Sequence, residues 1–110
     1  MVSDIEGIQS GGGGDIEVEP IVLTGDCSYS CAGDISSNYI KMYGDTITTN
    51  DITNATNMFL NYKLSTIPFD INFLTSYAGN TMSYMFYKCV NLTELPKFNN
   101  CCPNNMSCIF

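Results

Sequence analysis

The groups in this chain able to do chemistry are six cysteines, eleven carboxylates and four lysines, in 110 residues that contain neither histidine nor arginine. Without histidine, serine–histidine and cysteine–histidine nucleophiles are excluded. A zinc site would have to use cysteine alone or cysteine with carboxylates. Neither Cys27-x-x-x-Cys31 nor the adjacent Cys101 and Cys102 has the paired spacing of such sites. Asp45, Asp51 and Asp70 lack the spacing of a calcium loop. Gly11–Gly14 carries no lysine or hydroxyl residue in phosphate-loop position and reads as a linker. Asp15, Glu17 and Glu19 fall on an N-terminal tail, where a solvated acidic stretch is expected rather than a convergent acid–base pair. The expectation is a protein that is not an enzyme, with no catalytic residue, no metal and no cofactor.

The cysteines leave three readings open: reduced structural thiols, one or more disulfides, or a cysteine-based metal or redox module. Cys27 and Cys31 read as small turn residues and Cys89 as a core thiol. Three sequons begin at Asn54, Asn91 and Asn105. Two of them coincide with expected helix caps, which accounts for them without glycosylation. Of the tyrosines, Tyr29, Tyr39, Tyr43, Tyr77, Tyr84 and Tyr87 are candidates for a contact surface.

The charge is unevenly placed. Asp4, Glu6, Asp15, Glu17, Glu19, Asp26 and Asp34 precede the first lysine, and the remaining four acids are matched by Lys41, Lys63, Lys88 and Lys97. A net charge of −7 without arginine excludes nucleic acid and an anionic membrane surface as partners, since both need clustered cations. No apolar run approaches the roughly 20 residues that span a bilayer, so no membrane insertion is expected, and residues 1–20 do not read as a secretory signal.

Three regions follow. Residues 1–19 form an acidic, glycine-containing tail in which Ile16 and Val18 alternate with acids, a short strand pattern that needs an edge to pair with. Residues 20–53 read as a small β-rich capping unit, with an apolar run at Ile21–Leu23 and a hairpin of Tyr39–Tyr43 and Thr46–Thr49 about a Gly44–Asp45 turn. Residues 54–110 echo themselves. Asn54–Phe59 returns as Thr81–Phe86 and again as Asn105–Phe110, while Leu64-Ser-Thr-Ile67-Pro68 returns as Leu92-Thr-Glu-Leu95-Pro96. Offsets of 27 and 24 residues between Phe59, Phe86 and Phe110 suggest a solenoid with units 54–79, 80–104 and an incomplete 105–110. Ala55, Met58, Phe59 and Tyr62 stand at i, i+3, i+4 and i+7, as do Met82, Met85, Phe86 and Cys89, which predicts a short helix in each unit. A short strand ending at proline would follow it. Val90, Leu92, Leu95 and Phe98 join the expected core of the second unit. The final unit would leave apolar side chains open, so the chain is expected to continue past Phe110 or to meet a partner there.

These motifs resemble the BspA-like leucine-rich repeats of bacterial surface proteins, including the roughly 25-residue form of mycoplasma lipoproteins. Asn80–Cys89 with Asn91–Phe98 fits that pattern closely, and Asn54–Phe69 loosely, with Tyr62 where the cysteine stands. The resemblance implies an α+β fold, a short leucine-rich-type solenoid with one short helix and one short strand per repeat. Relatives with such repeats include adhesins and fibre-like proteins of phages that infect gut bacteria. The expected function is therefore that of a non-enzymatic virion structural protein, the particle-attached N-terminal part of a phage fibre or appendage; the alternative is a bacterial cell-surface adhesin or binding module. Its anchor strand, Asp15, Ile16, Glu17, Val18 and Glu19 with Ile21 and Leu23, would dock on other virion proteins, and a homo-oligomer is expected.

Overall fold

The computed structural model describes residues 18–75, 79–101, 103–105 and 109–110, with the side chains of 103–105 left aside. Strand β1 (Ile21–Asp26) alternates, with Ile21, Leu23 and Gly25 turned inward and Val22, Thr24 and Asp26 outward. Helix α1 (Gly33–Tyr43) follows, with Asp34 in its first turn and Lys41 in its last, each at the end where the helix dipole favours it. A short 3-10 turn (Gly44–Thr46) leads into β2 (Ile47–Asn54), which pairs in parallel with β1 from Ile21 opposite Ile47 to Asp26 opposite Asn54. Parallel neighbours need a crossover, and α1 supplies it. The remaining strands are short: β3 (Ile71–Asn72), β4 (Asn80–Thr81), β5 (Phe98–Asn99) and β6 (Pro103–Asn105). One parallel sheet has the order β1-β2-β4-β6 and the other pairs β3 with β5. A single parallel bridge from Ile52 to Phe73 joins them.

This α+β arrangement corrects the expected architecture. The leucine-rich-type solenoid, with a helix and a strand in each repeat, does not form. The described residues contain one α-helix, and it occupies 33–43, inside the segment expected to be a β-rich cap. Tyr39–Tyr43, expected as one arm of a hairpin, is the end of α1. Its rings pack at 5.1 Å, and Tyr39 and Ile40 are buried with Ser37 on the inner face. Leu64–Phe69 and Leu92–Leu95 form no strand; the strands lie just after them. The expected helix at 105–110 falls largely outside the described residues.

The reason the expected helices fail is visible in the backbone. In 55–62 the amides of Met58, Leu60 and Tyr62 donate to the carbonyls of Ala55, Asn57 and Phe59, three residues back. The intervening amides of Ala55, Asn57, Phe59 and Asn61 leave the segment and donate to Thr81, Ser83, Met85 and Tyr87 at 2.9–3.0 Å. An α-helix would keep all of these donors to itself. Asn57 and Asn61 sit at φ of 57° and 58°, and Tyr84 and Lys88 at 56° and 61°, so a left-handed residue interrupts each segment every fourth position. Successive four-residue turns put side chains on one face at nearly the spacing of a helix, which is why the two are confused in sequence. The same pattern links Cys27, Cys31 and Gly33 to the carbonyls of Asn54, Met58 and Leu60.

Packing follows from this register. Phe86 lies flat on Phe59, with centroids 5.7 Å apart and planes within 12°, and Phe110 lies on Phe86 at 5.7 Å and 22°. Phe59, Met58, Tyr62, Ile52, Ile71 and Phe73 are fully buried, and the Tyr62 hydroxyl donates to the Thr66 carbonyl at 2.8 Å. Helix α1 closes one side of this core. Ser37 Oγ donates to the Gly33 carbonyl and accepts the Lys63 amide, both within 2.8 Å. A Cβ on Gly44 would lie 2.6 Å from the Pro68 ring, so only glycine lets the chain turn there.

Asn57→Ala tests the turn assignment directly. In a helix alanine would stabilise the segment, whereas in the left-handed conformation it is expected to destabilise the fold by about 1 kcal/mol. Urea unfolding reads the difference, and a stabilised variant would refute the turns.

Candidate functional site

The expected anchor strand is divided by the structure. Asp15, Ile16 and Glu17 lie outside the described residues. Val18 is half-buried and Glu19 exposed. Ile21 and Leu23 sit in β1 and pack against the chain's own core, so they are not free to insert into a partner. What β1 does offer is an edge. It is terminal in its sheet, with Val22 more than half exposed beside Thr24 and Asp26.

The cysteines do not converge. Cys27, Cys31 and Cys89 are free thiols, Cys101 is exposed, and the side chains of Cys102 and Cys108 fall outside the described residues. Cys27 and Cys31 are buried in the turn segment between β1 and α1. Burial, reinforced by the neighbouring Asp26 carboxylate, pushes the Cys27 thiol up to about 11. Deeper burial outweighs a hydrogen bond from Ser30 and lifts Cys31 to about 12. Cys89, expected as a core thiol, is half-buried at the core's edge; burial raises its thiol too, and its Sγ donates to the Phe59 carbonyl at 2.9 Å. Tyr62, beside them, is likewise shifted upward by desolvation. Exposed Cys101 donates through Sγ to Met82 Sδ at 3.5 Å. Among the described residues no three His, Cys, Asp or Glu side chains group as metal ligands.

The sequon asparagines have structural work. Asn54 Oδ1 accepts the Thr56 amide at 2.9 Å and the Thr81 hydroxyl at 2.8 Å. It caps a turn segment rather than the helix expected there. Asn91 Nδ2 donates to the Lys63 carbonyl at 2.9 Å. A second ladder runs from Thr49 through Asn72 to Asn99, whose Nδ2 donates to Asn72 Oδ1 at 2.6 Å. Asn80 is fully buried, yet among the described residues neither its amide nitrogen nor its oxygen finds a partner, and the same holds for the Ser83 hydroxyl. Such groups mark a place for internal water.

The most accessible apolar feature lies at the far side of the molecule from α1. An open cleft of about 380 Å³ is lined by Phe86, Cys89, Leu92, Leu95 and Phe110, with Lys88 and Glu94 at its polar points. Val90 is 81% exposed, Phe110 67% and Leu95 50%. The sequence reading placed Val90 and Leu95 in the core; the structure turns them to solvent. The sequence gives a signal for this end only in the open last echo. Nearby, exposed Tyr84 and Tyr87 meet edge to face at 5.5 Å, with Lys88 Nζ 5.5 Å above the Tyr87 ring. Tyr39 is buried, Tyr43 half-buried and Tyr29 exposed; Tyr77 lies outside the described residues.

No known protein family, curated protein or solved structure matches the chain. Among the described residues no helix is long and apolar enough to cross a membrane.

The thiol environments make a measurable ranking. At pH 8, Cys27 has roughly 100-fold less thiolate than an unperturbed cysteine. An alkylating reagent followed by peptide mapping should therefore modify Cys101 well before Cys27 or Cys31; equal rates would contradict the burial. Both raised values also set a stability trend. From about pH 9 upward the unfolded chain releases thiol protons that the folded chain retains, so stability should fall with rising pH through 11–12.

Proposed function

We propose that this chain is a non-enzymatic structural protein that works by contact, as the particle-attached N-terminal part of a phage fibre or appendage. The observation that carries the contact mechanism is β1. A long strand at the edge of a parallel sheet, with unpaired backbone groups on its outer side among the described residues, invites another strand. Leading into that edge is the acidic tail, where Ile16 and Val18 alternate with Asp15, Glu17 and Glu19. Residues 15–24 dock on another virion protein by strand addition, and the rest of the chain presents a surface outward. The assignment to a virion rests on the resemblance of the Met-Phe and Leu-Pro motifs to BspA-like sequences.

The exposed Val90–Leu95–Phe110 end favours a second reading, a bacterial cell-surface adhesin or binding module whose apolar end meets its ligand. Location separates the two: purified particles should contain the chain in one case, the cell envelope in the other.

Deleting residues 1–19 is expected to abolish incorporation into particles and to leave the far-ultraviolet circular dichroism spectrum of the folded part unchanged. Particles that load the truncated chain normally would sink the docking role of the tail.

A further inference from the structure

Strand addition at β1 leaves open which strand the edge accepts, and the charges at its two ends decide that. β1 is terminal in its sheet, and its inner side chains Ile21 and Leu23 are committed to the core. An incoming strand therefore meets only the backbone edge and the outward residues. At the centre those residues are uncharged: Val22 and Thr24, with Thr48 and Asn50 opposite them on β2. A carboxylate closes each end. Glu19 stands exposed just before the strand, and Asp26, exposed at its last position, accepts the Ser28 amide at 3.0 Å. Among the described residues neither has a lysine partner, since the ion pair present joins Lys63 to Asp34.

We infer that the β1 edge selects a basic strand of another protein: an uncharged, β-branched segment about eight residues long with a lysine or arginine near each end. Glu19 and Asp26 are seven residues apart, about 23 Å along an extended chain. Opposite charges across neighbouring strands stabilise their pairing, and like charges oppose it. The surroundings act in the same sense. Residues 18–54 carry Glu19, Asp26, Asp34, Asp45 and Asp51 against Lys41 alone, whereas in 55–101 the lysines outnumber Asp70 and Glu94. The field about β1 is thus negative within a chain that is already acidic, which also speeds the approach of a cation-bearing segment.

The same pattern rules against a second copy as the occupant. Antiparallel pairing of two β1 strands brings Glu19 of one copy toward Asp26 of the other, and in-register parallel pairing sets each acid against itself. The Asp15–Glu19 stretch of a second copy would bring three carboxylates to the edge. Among the described residues no strand of this chain has a lysine near each end, so the complementary segment comes from a different protein. The inference rests on the proposed strand addition, and the two fail separately. Absence of the chain from particles would sink the virion partner and leave the charge preference in place. Loss of the charge preference alone would leave strand addition standing.

Binding of two synthetic peptides to the full chain tests it. Each alternates valine and threonine over about eight residues; one carries lysine at both ends and the other glutamate. Fluorescence anisotropy should show the lysine peptide bound about tenfold more tightly at low salt, with the preference shrinking as salt screens the ends. The double variant Glu19→Gln, Asp26→Asn keeps nine of the eleven carboxylates and an oxygen acceptor for the Ser28 amide, and should bind the two peptides alike. Hydrogen exchange locates the site: the lysine peptide should slow amides within residues 21–26. A wild type that binds both peptides equally, or neither, overturns the inference. So does a preference that survives in the double variant, which would assign it to the other acids, or protection confined to residues outside 21–26.

Discussion

The fold depends on how backbone amides are shared in the turn segments. Half of them close i+3 turns locally and the other half cross to the neighbouring segment, from 27–33 to 54–60, from 55–61 to 81–87 and from Phe86 to Ile109. Neither a helix nor an ordinary strand divides its donors this way. A turn segment alone would leave every second amide unpaired, which makes each one dependent on the next. The crossing bonds also fix the register that lays Phe86 on Phe59 and Met85 beside Phe59. Left-handed residues are the local condition for that geometry. Asparagine tolerates it at 57 and 61, while Tyr84 and Lys88 adopt it against their own preference because the crossing bonds on either side hold them there.

The apolar spacing of 55–62 and 82–89 identified the buried face correctly. Ala55, Met58, Phe59 and Tyr62 are all buried, and so are Met82, Met85 and Phe86. What spacing could not distinguish was a helix from a run of four-residue turns, since both return a side chain to the same side after three or four positions. The signal that decides between them is Asn57 and Asn61, which are poor in a helix and good in the left-handed region. The strands were misplaced for a related reason. Leu64–Phe69 and Leu92–Leu95 have apolar residues at strand-like intervals, but pairing begins only after the prolines, at Ile71 and Phe98.

Helix α1 was missed because its sequence is weakly apolar. Only Ser37, Tyr39 and Ile40 are buried on it, and the turn residues Gly44 and Asp45 directly after Tyr43 read equally well as a hairpin. Tertiary context settles the choice: β1 and β2 are parallel, so the chain must return to the same end before re-entering the sheet, and a hairpin cannot do that. Of the candidate anchor, the sequence showed the apolar positions of β1 but not their use. Ile21 and Leu23 face inward, so any partner meets the strand through its edge and its outward residues rather than through those side chains.

The two ends of the molecule are finished differently, and the difference has a physical origin. At the α1 end the helix covers residues 61–68 and supplies the Ser37 hydroxyl to the Lys63 amide, so polar groups are satisfied as apolar ones are buried. At the cleft end the last aromatic of the stack, Phe110, keeps two thirds of its surface in water, and Val90 keeps more. Backbone bonding does not give the ends a common polarity, because the turn segments donate from 27–33 to 54–60 and from 55–61 to 81–87 while Thr93 and Leu74 donate back to Ser65 and Ile52. The difference lies in the side chains: α1 supplies both a hydroxyl and apolar cover at its end, whereas among the described residues the cleft of Phe86, Leu92, Leu95 and Phe110 stays open.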